Sequence, residues 1–368
     1  MHTFGRGEDK ASKTGVSSKS HPYIYVSENG LSTTHFMSDL QSVIDLYRRA
    51  LPAGELVHFS LSPFDRLNVP NQTATFFPLD GRTRGGTGYG ATDEAALVSA
   101  LGETTEEFSA SRAVSQVEPL EGSFEELRAR FGERGVCDPL SLCLEVGSNY
   151  SPQMSRRWTA TKRLGTDETV WVPVEFVAAY RGDVTQNRYQ PLVVPITNGL
   201  GAGTSREMAL AHGLLELLQR DGNGLQIRAL ATTTEIDSQS VSDPQAKRLL
   251  ERFDAQGVDV HLKVASTDNG FVNLYVVGLD RDESGGGLPL MGLAGGEASH
   301  PVASVALRKA LLEWAAARAR GVYARAARQG GAFDAARLSA ANAFSSASRR
   351  RRTARPGSDE TLGFAVAR

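Results

Sequence analysis

Four polar side chains, His212, Glu216, Gln219 and Arg220, recur at helical intervals within Asn198-Gly-Leu-Gly-Ala-Gly-Thr-Ser-Arg-Glu-Met-Ala-Leu-Ala-His-Gly-Leu-Leu-Glu-Leu-Leu-Gln-Arg-Asp221. At i, i+4, i+7 and i+8 they share one helix face. Leu210, Leu214, Leu217 and Leu218 occupy most of the remaining surface. A carboxylate three residues before a Gln-Arg pair, on a helix otherwise built for burial, is costly to desolvate without a partner. A metal ion or a polyphosphate would supply one. The glycine-rich turn ahead of the helix would bring backbone N–H groups near its N-terminus, where they could meet an anion.

Two more segments combine glycines with a helix that carries acids. Gly88-Tyr-Gly-Ala-Thr-Asp-Glu-Ala-Ala-Leu-Val-Ser-Ala-Leu-Gly-Glu-Thr-Thr-Glu106 places Ser99, Glu103 and Glu106 on successive turns. Gly295-Gly-Glu-Ala-Ser-His-Pro-Val-Ala-Ser-Val-Ala-Leu-Arg-Lys-Ala-Leu-Leu-Glu-Trp-Ala-Ala-Ala-Arg318 brings Glu313 and Arg318. Together with Arg66-Leu-Asn-Val-Pro70, these segments resemble, in order, the signatures of the YcaO family over about residues 60–325. The resemblance implies a YcaO-like fold, layered α/β or α+β, with mixed sheets flanked by helices and a nucleotide cleft between the motif helices.

It also implies ATP and Mg2+. Carried over, Glu103, Glu106, Glu216 and Gln219 are the Mg2+ positions, with Gln219 where a fourth carboxylate is expected. Ser99, Arg220, Glu313 and Arg318 are the ATP positions, the arginines forming the wall of the cleft. Magnesium takes hard oxygen ligands and shares them with phosphates, and arginine's donor fork suits phosphate. Family enzymes phosphorylate a backbone amide oxygen of a peptide or protein substrate. A Cys, Ser or Thr side chain or sulfide then adds, giving an azoline ring or a thioamide. Such chemistry depends on positioning and charge stabilisation. The resemblance further implies a partner protein that delivers substrate or handles sulfur, and it admits a homodimer.

Several residues depart from the family pattern: Tyr89 for Lys, Glu107 for Arg, Met208 for Asn, Gln219 for Glu and Ala316 for Gln. They keep open a second reading, a catalytically degenerate scaffold that binds nucleotide, peptide or partner without turnover. On that account Gln219→Glu is expected to tighten Mg2+-dependent ATP binding. A ligase of another type finds less support, because no Gly-x-x-x-x-Gly-Lys run occurs. Read without the resemblance, Glu103 and Glu106 are solvated helix carboxylates, Glu216 with Arg220 and Glu313 with Arg320 are ion pairs, His212 is a packed histidine and Trp314 belongs to the core.

The elements that must hold these residues follow from periodicity. Helices are expected at Thr34–Ala50, Glu94–Ala110, Phe124–Phe131, Ser205–Asp221, Asp243–Gln256 and from Pro301 into the 320s. Strands are expected at Leu56–Leu61, Ala74–Pro78, within Glu168–Tyr180, at Leu225–Thr232, Val258–Val264 and Val272–Leu279. Their alternation argues for a layered fold. Residues 1–33 are read as a flexible segment, 34–325 as the YcaO-like domain and 326–368, rich in Ala, Arg and Ser, as a disordered or truncated tail.

With 368 residues, 40% hydrophobic and 22% charged, the chain suits one large or two mid-sized globular domains. A net charge of -2 argues against a nucleic-acid partner. No apolar run reaches membrane-spanning length, so no membrane partner is expected. The N-terminal residues do not read as a secretion signal, and Cys137 and Cys143 suit neither a zinc knuckle nor a redox pair. Reduced thiols and a cytoplasmic location are the expectation.

Overall fold

The computed structural model describes residues 33–328, apart from 80, 117, 143, 185–190, 230–233 and 282–293. The chain divides into Met1–Asp39 and Leu40–Arg368, and the second unit holds the elements given below except the first residues of α1. In order these are α1 (Thr33–Ala50), β1 (Gly54–Ser60), β2 (Asn71–Pro78), β3 (Arg84–Tyr89), α2 (Asp93–Gln116), β4 (Leu120–Gly122), α3 (Phe124–Phe131), β5 (Arg156–Lys162) and β6 (Thr169–Pro173). There follow α4 (Arg181–Val184), α5 (Arg206–Ala229), β7 (Glu235–Ile236), α6 (Pro244–Ala255), β8 (Val258–Ser266), β9 (Val272–Asp280), β10 (Ala294–His300) and α7 (Ala303–Arg328). Strands β1-β2-β3, β4-β5-β6 and β10-β9-β8-β7 form separate sheets. Pairing within all three is antiparallel, so the layered fold is of the α+β kind rather than built on mixed sheets. Among the described residues, no helix is long and apolar enough to cross a membrane.

Glycines ahead of α2 and α7 lie in strands. Gly86 and Gly88 lie in β3, and a Cβ on Gly88 would stand 2.1 Å from the Ala100 nitrogen and 2.2 Å from the Ala96 oxygen. On β10, a Cβ at Gly296 would stand 2.1 Å from the Ala310 oxygen. Glycine is needed at both places because strand backbone lies directly on helix backbone.

The two strand–helix units are versions of one pattern. Gly85-Gly86, Ala96-Leu97, Ala100-Leu101 and Glu103 of β3–α2 recur at a constant interval as Gly295-Gly296, Ala306-Leu307, Ala310-Leu311 and Glu313 of β10–α7. Gly86 packs against Ala100 and Thr104, as Gly296 packs against Ala310 and Trp314. Glu103 and Glu313 therefore occupy matching turns of matching helices.

Helix α5 runs eight residues beyond the Asp221 end expected from sequence, and the expected strand from Leu225 is helical as far as Ala229. Gly222-Asn-Gly224 reads as a helix stop. Here Gly222 sits where α5 crosses β8 and β9, and a Cβ on it would meet the Asn273 side chain at 2.2 Å. The Asn273 side chain donates to the carbonyls of Leu218 and Gln219. Tertiary packing thus overrides local preference.

The largest core cluster joins α6, α7 and the β7–β10 sheet. Trp314 is fully buried and meets Phe253 edge to face, with ring centroids 5.0 Å apart. Such a pair adds about 0.5–1.5 kcal/mol beyond its buried area. A second cluster, Ile44, Tyr47, Ala74, Ala100 and Leu101, seats α2 on β2. Of the tail expected at 326–368, residues 326–328 end α7 and the rest lies outside the described residues, as does Cys143; Cys137 is a free thiol.

Candidate functional site

Three carboxylates from α2 and α5 act on one another electrostatically. Glu103 and Glu106 lie on adjacent turns of α2, and Glu216 comes from α5. Burial pushes Glu106 up to about 8, with Glu216 and then Glu103 raising it further. Glu103 is pushed up to about 7, first by its surroundings and then by Glu107 and Glu216. Glu103 keeps an open path to solvent, yet protein walls it closely enough to oppose its ionisation.

Each of these acids is held by a backbone amide from a glycine-rich segment. Thr87 N–H donates to Glu103 Oε2 at 2.7 Å, Gly199 N–H donates to Glu216 Oε2 at 3.1 Å, and Ala202 N–H serves Glu106. The amides expected to receive an outside anion at the glycine turns thus hold the protein's own carboxylates. A Cβ on Gly201 would lie 2.0 Å from the Ala209 oxygen, so the loop lies flat on α5. That close approach is what lets its amides reach the acids.

The cluster continues through α5 to β10 and α7. Arg220 Nη1 donates to Glu297 Oε2 at 2.9 Å, and its Nη2 stands 3.5 Å from Glu216. Gln219 Nε2 donates to the same Glu297 oxygen at 3.3 Å. Glu313 accepts the Tyr89 hydroxyl at 3.0 Å. Burial pushes Glu313 up to about 7; Glu297 raises it, while Arg220 and Arg320 lower it. Arg320 donates to Thr87 Oγ1 at 2.6 Å, beside the amide that holds Glu103.

The structure thus brings Glu103, Glu106, Glu216, Gln219, Arg220 and Glu313 together. Ser99 lies one turn before Glu103 on α2. Arg318 is a correction. Its Nε and Nη1 pair with Asp65 at 2.8 Å and Asp280 at 2.9 Å, and only 2% of the side chain is exposed. The buried aspartates claim this guanidinium, and Arg320 is the α7 arginine that reaches the cluster. Sequence reasoning also missed Glu297 and Lys309. Lys309, one turn before Glu313, is lowered by burial and raised by Glu313; it also lowers His212 and His300. The signal that could have found Glu297 is the repeat, in which it matches Thr87.

Two departures have local explanations. Tyr89 takes up Glu313. Glu107 accepts the Tyr180 hydroxyl and the Gly85 amide next to Arg84, whose guanidinium lies 4.3 Å over the Tyr180 ring. Trp314 is core, as expected. A cavity of about 310 Å³ lies elsewhere, lined by Arg48, Leu51, Leu56, His58 and Phe76, and shares none of these acids.

The family model described as YcaO cyclodehydratase, ATP- and Mg2+-binding, matches residues 87–364, which is most of the chain. The chain belongs to the YcaO family. The match extends into the segment read as a tail. An uncharacterized protein of Methanothermobacter thermautotrophicus is 29% identical over 264 residues, 72% of this chain and 65% of that one. The chain therefore spans just under two thirds of that relative. A heterocyclase in complex with substrate and cofactor is similar at a TM-score of 0.58 and 18% identity, over 77% of this chain and 40% of that one. YcaO from Methanopyrus kandleri, bound with AMPPCP and Mg2+, is similar at 0.55 and 22%, over 82% of this chain and 71% of that one. At these identities the likeness concerns the fold.

The donor set of this YcaO protein fits the family's ligands. Glu106 is buried, and the groups that act most strongly on it are the anions Glu216 and Glu103. A divalent cation would relieve that repulsion. Among the described residues, no group of three acidic, histidine or cysteine side chains could hold a metal by itself. Magnesium seldom needs one: it is typically held by one or two carboxylates, waters and substrate phosphates.

Proposed function

We propose that this YcaO protein uses ATP and Mg2+ to activate a backbone amide of a peptide or protein, leading to an azoline ring or a thioamide. The observation that carries the reading is the mutual repulsion among Glu103, Glu106 and Glu216, drawn from two helices and held by amides, which together with burial disfavours the ionisation of Glu103 and Glu106. Mg2+ bound there would supply the charge neutralisation that phosphoryl transfer needs. The carboxylates of α2 and α5 would hold the ion. Arg220 and Arg320 would orient phosphate oxygens, Ser99 would donate to the nucleotide, and Glu313 would fix the α7 side of the site. The amide hydrogen bonds from Thr87, Gly199 and Ala202 keep the carboxylates in place before any ligand arrives, which lowers the cost of ordering them.

A partner that delivers the peptide or handles sulfur belongs to the proposal, since the chain covers only 40% of the similar heterocyclase. A cytoplasmic location and a homodimer are likewise proposed. The experiment is phosphate release from ATP, followed with peptide mass, in the presence of a candidate peptide and partner. The expected result is phosphate release coupled to a loss of water from the peptide, or to replacement of amide oxygen by sulfur. Tight Mg·ATP binding without phosphate release under every pairing would favour the scaffold reading, whose specific support is the neutral Gln219 at a carboxylate position.

A further inference from the structure

The carboxylate missing at Gln219 has a candidate replacement. Glu297 projects from β10 toward α5, with 15% of its side chain exposed. One of its oxygens accepts from both Gln219 Nε2 and Arg220 Nη1. Gln219 therefore presents its N–H to a carboxylate and is oriented by it. A structural ion pair with Arg220 is the simpler account of Glu297, but Arg220 is shared with other acids. Arg220 already faces Glu216 at 3.5 Å and also acts on Glu313. Placing Glu297 beside those acids adds negative charge around a shared guanidinium. Lys309 and Arg320 reach Glu313 from α7 itself. Arg220, Lys309 and Arg320 are thus shared among Glu216, Glu297 and Glu313, and a divalent cation bound there would relieve the crowding of these carboxylates.

The repeat supplies a second observation. Glu297 stands on β10 where Thr87 stands on β3. Thr87 serves the site directly, through its amide on Glu103 and its hydroxyl under Arg320. The same strand position in the second unit faces the same cluster, now with a carboxylate.

We infer that Glu297 is the acidic metal-site residue that stands in for the carboxylate absent at 219, with Gln219 and Arg220 positioning it. This rests on the Mg·ATP reading of the cluster and deepens it. It also changes an expectation from sequence: with Glu297 3.3 Å from Gln219 Nε2, Gln219→Glu alone would set two carboxylates against each other.

The test is Mn2+ binding in the presence of AMPPCP, read by electron paramagnetic resonance on the full chain, together with AMPPCP binding in EDTA. Glu297→Gln is expected to weaken Mn·AMPPCP binding by about tenfold or more, the loss of one charge-assisted contact. Metal-free AMPPCP should bind equally well or more tightly, because an anion has left the phosphate site. Gln219→Glu alone should bring no gain, and the exchange Gln219→Glu with Glu297→Gln should restore binding to within about threefold, a difference small against that contact. Circular dichroism verifies folding, and the exchange variant decides the matter if Glu297→Gln does not fold. The inference is overturned if Glu297→Gln binds Mn·AMPPCP as the native chain does while Glu106→Gln does not, in which case the Mg·ATP reading survives. It is equally overturned if Glu297→Gln loses metal-dependent and metal-free binding alike, the mark of a structural role. If the native chain binds no Mn·AMPPCP, both the inference and the reading beneath it fail.

Discussion

Glu106 concentrates the site's electrostatics in one side chain. Its folded-state pKa, pushed up to about 8, lies above the ordinary carboxyl value, so the native state holds this proton more tightly than the unfolded chain does. Its contribution to stability is therefore full below about pH 4.5 and is lost as pH rises through about 8. Glu103 and Glu313, both pushed up to about 7, act in the same direction. The ligand-free protein should accordingly show a falling melting temperature between pH 5 and pH 8.5, and Mg·AMPPCP should flatten that fall. Glu106→Gln should reduce the fall, stabilising the ligand-free protein at pH 8.5 by on the order of 1 kcal/mol, while abolishing metal-dependent nucleotide binding. Calorimetric melting across pH verifies both. A melting temperature that rises with pH would show that these carboxyls are not held neutral. At this scale the sequence was informative about identity and weak about direction. Glu103, Glu106, Glu216 and Gln219 could be picked out by spacing and resemblance. The commitment of Arg318 to Asp65 and Asp280 could not, because those partners come from distant parts of the chain.

The glycines of β3 and β10 matter at the scale of the element. They allow a strand to lie on a helix at a separation that leaves no room for a methyl group. Gly88→Ala would drive its Cβ against the Ala100 and Ala96 backbone, which cannot move aside as a flexible side chain would. A loss of about 3 kcal/mol or more is expected by urea unfolding, at the upper end of overpacking costs. Gly296→Ala should behave alike, for the same reason. Gly165→Ala is the comparison: φ is +79° and nothing lies within 4 Å of its Cβ, so only backbone strain of about 1 kcal/mol is expected. Equal losses at Gly88 and Gly165 would contradict the close-packing account. The long helices and five of the ten described strands were legible because their apolar periods are strong. Strands β3 and β10 were not: Arg84-Gly-Gly-Thr-Gly-Tyr89 has almost no β-forming character and is held as strand by pairing with β2 and by packing on α2. The extension of α5 past Gly222 was hidden for a related reason, since the Asn273 contact that explains this glycine is made by another strand.

Across the whole of Leu40–Arg368, buried charge joins remote segments. Arg318 of α7 meets Asp65 before β2 and Asp280 at the end of β9, and Arg66 pairs with the same Asp280. Removing the cation would strip Asp65 of its ion-pair partner and leave Asp280 with Arg66 alone. Arg318→Met should therefore cost about 3–5 kcal/mol of stability and leave the affinity of the folded fraction for Mg·AMPPCP near native. Arg320→Met should do the reverse, weakening nucleotide binding with little change in unfolding. Chemical denaturation and ligand titration of the two variants separate these roles, and an exchange of the two outcomes would return Arg318 to the phosphate site. The layered α+β class was legible from the alternation of helices and strands. Antiparallel pairing within three separate sheets was not, since pairing direction follows from contacts between residues far apart in sequence. The central claim is that α2 and α5 hold a metal-dependent nucleotide site. Isothermal titration of AMPPCP into the native chain, with Mg2+ and then with EDTA, tests it most directly. The account predicts saturable one-to-one binding with Mg2+, weakened at least tenfold, or about 1.4 kcal/mol, in EDTA and lost in Glu106→Gln. Binding that ignores Mg2+ and Glu106→Gln, or no binding at all, would contradict it.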